Sequence, residues 1–135
     1  MTTAEPTRLE PGVQGVLERT VEAQHCTRRG DYDIFSTPNL VLLLEEAAIE
    51  GLAPYLRDDQ ASVGSKVEIV HSAPTLLGQT VRATATVTEV DRRRVVFDIR
   101  VEDDTEVIGT GTHERFVVDL PSFEDRLAAK AQQVR

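Results

Sequence analysis

Three features of this chain predict an α+β architecture in which a curved antiparallel sheet wraps around one long central helix. Residues 36–56, STPNLVLLLEEAAIEGLAPYL, hold the longest apolar concentration. From residue 61 to residue 120 apolar and polar positions alternate in segments separated by short turn signals, the period of half-buried strands. No second stretch is long and apolar enough to cover the sheet face those strands create, and such a face needs a cover. The 135 residues are read as a single domain with a flexible arm at 1–11, polar and marked by Pro6 and Pro11. That length suffices for a hydrophobic core.

In chain order, residues 12–21 alternate weakly, with Val13, Gly15, Leu17 and Val21 on one side, as an opening strand does. Residues 22–36 are expected to be a loop with a helical turn or two. Its aromatics, Tyr32 and Phe35, are the ones placed to line a cleft or lid. The helix starts at Thr37-Pro38, a hydroxyl that can cap free amides followed by a ring that needs no amide. Leu40, Leu43, Leu44 and Ala47 occupy one side of it and Val41, Ala48 and Leu52 another, so burial on most of the circumference is expected. Gly51 weakens the run and Pro54 stops it.

Residues 61–73 place Val63, Ser65, Val67, Ile69, His71 and Ala73 on one face of a strand that Pro74 ends. Residues 80–90 set a threonine row against Val81, Ala83, Ala85 and Val87, and branched side chains favour extended backbone. The basic run Arg92-Arg93-Arg94 is read as a turn, with a small phosphate-binding patch as the other reading. Residues 94–102 and 106–120 complete a set of four consecutive hairpin-connected strands. In the last of these, Gly109 and Gly111 mark a bulge or a close approach. A short helix is expected at 123–133. Two open sheet edges favour a dimer joined edge to edge.

Composition removes several classes of function. Fifteen basic residues against twenty-three acidic give a formal charge of −8, the wrong sign for a nucleic-acid surface. Four Phe, two Tyr and no Trp leave no stacking platform for single strands. Cys26 is the only cysteine, so no internal disulfide can form, which suits a reducing, cytoplasmic setting. The opening MTTAEPTRLEPG does not read as a signal peptide, and no window has the apolar length of a membrane span.

Chemistry is confined to a few residues. Glu45 lies in an apolar stripe with Val41, Ala48 and Leu52, where a carboxylate is costly unless paired, hydrogen-bonded or protonated. Thr37 sits at the helix start, where amides and a favourable potential await an anion. His71 ends the first long strand, and Arg115 lies in the last. A threonine, a carboxylate and a histidine make a hydrolytic set if they converge. Each has a structural alternative: Thr37 as an N-cap only, His71 as a core-edge histidine, Arg115 as the buried partner of Glu45. His113 and Glu114 read as an ordinary strand pair facing opposite ways. His25 beside Cys26 is a poor thiol–imidazole pair, because adjacent residues rarely face each other.

Residues 36–115 resemble the small hotdog-fold thioesterases of the fluoroacetyl-CoA thioesterase type. The matching pieces are T-x₇-E from Thr37 to Glu45, Leu52-Ala53-Pro54-Tyr55-Leu56, Val63-Gly64, H-x-A-P-T from His71, and GTGTHER ending at Arg115. The resemblance implies that Thr37, Glu45 and His71 form the catalytic set. It implies that the Gly64 amide positions the substrate carbonyl and that Arg115 holds the site in shape. It further implies an acyl-CoA substrate, a homodimer with sites near the interface, and neither metal nor other cofactor. Arg28 and Asp31 stand about where that type of enzyme carries gating phenylalanines. The expectation is therefore hydrolysis of another short or polar acyl-CoA thioester in preference to fluoroacetyl-CoA. The alternatives are a non-catalytic protein sequestering an acyl thioester or small apolar metabolite, and a hotdog dehydratase or lyase.

Overall fold

The computed structural model describes residues 8–134. Of the arm expected at 1–11, residues 1–7 lie outside the described range, and Leu9 packs on the core. Strand β1 (Gln14–Thr20) leads through a 3₁₀ turn (Ala23–His25) into a hairpin of β2 (Cys26–Arg29) and β3 (Tyr32–Phe35). Helix α1 (Thr37–Leu52) follows and continues as a 3₁₀ turn (Ala53–Tyr55). Then come β4 (Gln60–His71), β5 (Thr80–Asp91), β6 (Arg94–Asp103), β7 (Val107–Asp119) and helix α2 (Leu120–Gln133). One antiparallel sheet in the order β1-β5-β6-β7-β4 carries α1 on its inner face, which is the hotdog fold.

The core forms where α1 meets the centre of the sheet. Leu40, Leu43, Leu44, Ala47, Ala48 and Leu52 bury against alternating residues of β5 and β6, from Val81 to Val87 and from Val95 to Val101. Each large apolar side chain removed from water there contributes about 1.5–3 kcal/mol. The helix crosses β1 at Gly15 and Gly51, close enough that a methyl on Gly15 would overlap the Ala47 carbonyl oxygen and lie 2.5 Å from the Gly51 nitrogen. Those atoms are backbone and cannot swing aside. Gly15→Ala should therefore cost about 2–3 kcal/mol, the upper end of overpacking. A urea midpoint equal to wild type would contradict this packing.

The structure corrects three readings. Residues 22–36 hold the expected helical turn at Ala23–His25, but the rest is a hairpin and not a loop, turning at Gly30 with φ +58°. Strand β4 is not a hairpin neighbour of β5, because residues 72–79 cross the end of the sheet and β4 pairs with β7 at the far edge. That crossing is fixed by Ser72 N–H on Ile108 O, Phe35 N–H on Thr75 O and Gly78 N–H on Val21 O. Within β4 the register slips between Gly64 and Lys66. Ser65 is thus an extra residue, its hydroxyl donating on the outer face to the Glu114 carboxylate at 2.8 Å. Ser62 and Gly64 consequently share the helix-facing side with Val67, Ile69 and His71, while Val63 and Ser65 do not. Helix α1 is buried along the expected sides, at Leu40, Leu43, Leu44, Ala47, Ala48 and Leu52, and one side stays open. Leu42 (49% exposed), Ile49 (45% exposed) and Ala53 form an open apolar stripe that flanks Glu45.

Candidate active site

The first half of the site is made at the N-terminus of α1. Ser36, not Thr37, is the N-cap, its hydroxyl accepting from the Asn39 amide N–H and, at 2.7 Å, from Asn39 Nδ2. This leaves the Thr37 hydroxyl free, and it bonds His71 Nδ1 at 2.8 Å. His71 Nε2 is buried with no partner among the described residues. Burial pushes this imidazole below the ordinary histidine range, with the Ala73 backbone pulling the other way. The ring therefore stays neutral as pH falls past about 6.5, the usual histidine value. Any acid limb of kcat/KM that belongs to His71 should lie below that pH. A limb above it that vanishes in His71→Gln would reverse the sign of this argument.

The second half lies about 12 Å further along the helix, eight residues at 1.5 Å each. Glu45 Oε2 meets Arg115 Nη1 at 3.4 Å. The Arg115 side chain is 5% exposed and that of Glu45 33%, so the base is locked in while the acid keeps access to the outside. Arg115 also donates from Nε to the Ser62 hydroxyl at 2.9 Å and from Nη2 to the Ser62 carbonyl at 3.1 Å. Burial lowers its pKa, and Glu45 opposes the shift. Gly64 packs beside the carboxylate: a methyl there would sit 2.6 Å from Glu45 Oε2.

Thr37 and His71 thus meet one another, and Glu45, Gly64 and Arg115 meet one another. Both groups face the helix side of β4. Within one copy they are not in contact, because Gly64 and His71 are seven residues apart on the same strand, roughly 20 Å at strand rise. Phe35 ends β3 fully in the core, and Tyr32 is 63% exposed on the hairpin.

Two members of the arrangement were not singled out from the sequence. Ser62 was hidden by the Ser65 insertion, and His113 was read as ordinary. A histidine flanked by inward-facing Gly111 and Arg115 was the available signal. The side reading of a phosphate patch at Arg92-Arg93-Arg94 fails, because Arg93 pairs with Asp119 at 2.7 Å and Arg94 with Glu114 at 2.6 Å. His25 and Cys26 do not bond each other, and both turn to the Glu22 backbone.

Residues 17–120 match the family of fluoroacetyl-CoA-specific thioesterases. The fluoroacetyl-CoA thioesterase of Streptantibioticus cattleyicolor is 36% identical over 98 residues, covering 73% of this chain and 70% of that one. A solved structure of the fluoroacetyl-CoA thioesterase FlK superposes with a TM-score of 0.83 at 29% identity, over 90% of this chain and 97% of that one. A hot-dog-like protein from Thermanaerovibrio acidaminovorans gives 0.80 at 28% identity, over 89% and 91%. These matches overturn the preference against fluoroacetyl-CoA. The premise of a charged lid also falls, since Arg28 and Asp31 lie exposed at the hairpin turn, Arg28 bonded to Asp33 at 3.2 Å. With a helix-capped hotdog sheet, a carboxylate held by arginine and a match spanning most of its length, the chain belongs to the fluoroacetyl-CoA-specific thioesterase family of hydrolases.

Proposed function

We propose that this protein hydrolyses the thioester bond of fluoroacetyl-CoA, in a homodimer whose two sites each draw on both copies. The observation that carries the reading is the division of the site into two halves on the inner side of one open edge strand. Two copies of β4 paired antiparallel about a twofold axis run in opposite directions. The His71 end of one copy then approaches the Gly64 end of the other. Thr37–His71 of one subunit comes to face Glu45, Gly64 and Arg115 of its mate. The open stripe of Leu42, Ile49 and Ala53 beside Glu45 supplies apolar surface for the same contact. CoA binding is supported by relatives of this fold: one FlK variant was solved with fluoroacetate and CoA and another with acetyl-CoA.

In this arrangement the Gly64 backbone donates to the thioester carbonyl oxygen, where negative charge develops. Glu45 brings the attacking oxygen, by deprotonating water or by attacking the carbonyl itself. The carbon–sulfur bond breaks, and the His71 ring, hydrogen-bonded to Thr37, handles the proton that the departing thiolate takes up. One water is consumed, and the products are the carboxylic acid and free CoA. The fluorine withdraws electrons from the neighbouring carbonyl and makes it the more reactive two-carbon thioester.

The test is thiol release from fluoroacetyl-CoA, acetyl-CoA and an enoyl-CoA. Release from fluoroacetyl-CoA at a kcat/KM above that for acetyl-CoA is expected. Tight binding without thiol would make the protein a sequestering module, and hydration of the enoyl-CoA without thiol would make it a dehydratase.

A further inference from the structure

We propose that His113 is a positioning residue for this reaction: as the neutral Nδ1–H tautomer it aims the Arg115 guanidinium at Glu45 and pins the Ser65 bulge that presents Gly64. The proposal rests on the thioesterase reading. It starts from an imidazole that is 1% exposed and has both nitrogens engaged. Its Nε2 lies 3.1 Å from Arg115 Nη1. A guanidinium has only donors, so Nε2 must be the acceptor and the ring proton must sit on Nδ1. That nitrogen lies 2.8 Å from the Lys66 carbonyl oxygen, which can only accept. The two contacts fix one tautomer between them.

The location gives the tautomer a consequence. Lys66 is the residue after the inserted Ser65, where β4 regains its register. The ring therefore ties the bulge to the guanidinium, and the guanidinium is tied to Glu45 and Ser62. Gly64 closes the circuit, since a methyl on it would lie 3.4 Å from His113 Cε1 as well as against Glu45. The Phe97 ring of β6 lies alongside the imidazole, with centroids 6.1 Å apart and planes at 26°. The charged groups around the ring are Arg115 on its own strand and Glu45 from α1, with Glu114 acting from the next position. A second ring proton would point at Arg115 and break the acceptor contact. Burial and Arg115 hold the ring neutral against the Lys66 carbonyl and the two glutamates.

Two variants separate the ring's two bonds. Asn at 113 can reproduce the donor at Nδ1 but offers nothing at the Nε2 position, whereas Gln can reach that position with an acceptor. His113→Asn should lower kcat for thiol release by about 10- to 100-fold with KM nearly unchanged, the scale of a slightly misplaced reacting group. His113→Gln should recover most of that loss. A role confined to stability predicts instead that both variants lose activity only as their melting temperatures fall. Alongside, ¹⁵N imidazole shifts of the wild-type protein at neutral pH should show a neutral ring protonated on Nδ1. Wild-type kcat in His113→Asn, equal losses in the two variants at equal melting temperature, or a ring that is charged or protonated on Nε2 at neutral pH would each overturn the proposal. Should neither variant fold, the ring shifts still decide. Should the wild-type protein release no thiol from any CoA thioester, the functional reading fails, while the ring shifts still report on the contact with Arg115.

Discussion

Glu45→Gln is expected to lower kcat for thioester hydrolysis by about 10²- to 10⁴-fold, the range lost with a positioned acid–base group. Glutamine keeps the length and one accepting oxygen, so the contact with Arg115 survives in neutral form. The Arg115 side chain is 5% exposed and loses its anion, which should cost about 1–3 kcal/mol, the penalty for a weakened buried partner. The variant should remain folded, with a lowered melting temperature. His71→Ala should be comparably inactive. The informative experiment co-expresses the two inactive chains under different tags. If each site takes Thr37 and His71 from one subunit and Glu45 from the other, a mixed dimer holds one intact site and one doubly broken one. With random pairing half the dimers are mixed, so about a quarter of wild-type turnover should return. Two copies each carrying a whole site would show no recovery, and that result would remove the shared-site arrangement. Wild-type turnover by the Glu45→Gln chain alone would remove Glu45 from the chemistry.

Gly64→Ala should separate activity from stability more sharply still. The backbone at Gly64 is not in the left-handed region, so alanine is conformationally acceptable. The added methyl falls 2.6 Å from Glu45 Oε2, 3.2 Å from Arg115 Nη1 and 3.4 Å from His113 Cε1. All three are atoms of side chains, and the nearest is the mobile end of one. The fold can therefore yield by turning the carboxylate aside, at a cost of about 1 kcal/mol or less. Displacing a reacting oxygen by an ångström costs about 10²-fold in rate. A melting temperature within a few degrees of wild type, together with that loss in kcat, is the expected pair of results. Full activity would mean that the carboxylate is not held where the structure holds it. Gly15→Ala is the counter-case, since its methyl meets backbone and should cost stability first.

Much of this architecture could be read from residue patterns. The apolar run after Ser36 announced the central helix, and clean alternation announced β5, β6 and β7. Hydroxyl, carboxylate, imidazole and guanidinium at 37, 45, 71 and 115 marked the residues that now form two clusters. The rest was illegible for physical reasons. In ASVGSKVEIVH an uninterrupted period of two fits the apolar residues as well as an interrupted one does, so the insertion at Ser65 left no trace. Strands close in sequence usually pair, which hid the crossing of β4 to the far edge. Ser36 and Thr37 are both hydroxyl residues ahead of a proline, and the pattern gave no way to choose the cap. Arg28 and Asp31 were judged by charge, whereas their position at the tip of a hairpin depends on the turn at Gly30. The division of the site into halves depends on which edge β4 occupies, a property of topology rather than of spacing.

The slip at Ser65 has a practical consequence for anyone reshaping the pocket by mutagenesis. Before it, even-numbered positions of β4 look inward, and after it odd-numbered ones do. A saturation library that keeps one parity along the whole strand would spend half its diversity on solvent. Deleting the single serine would instead join the two halves into one unbroken alternation, keeping Ser62 and Gly64 inward while straightening the strand that carries them.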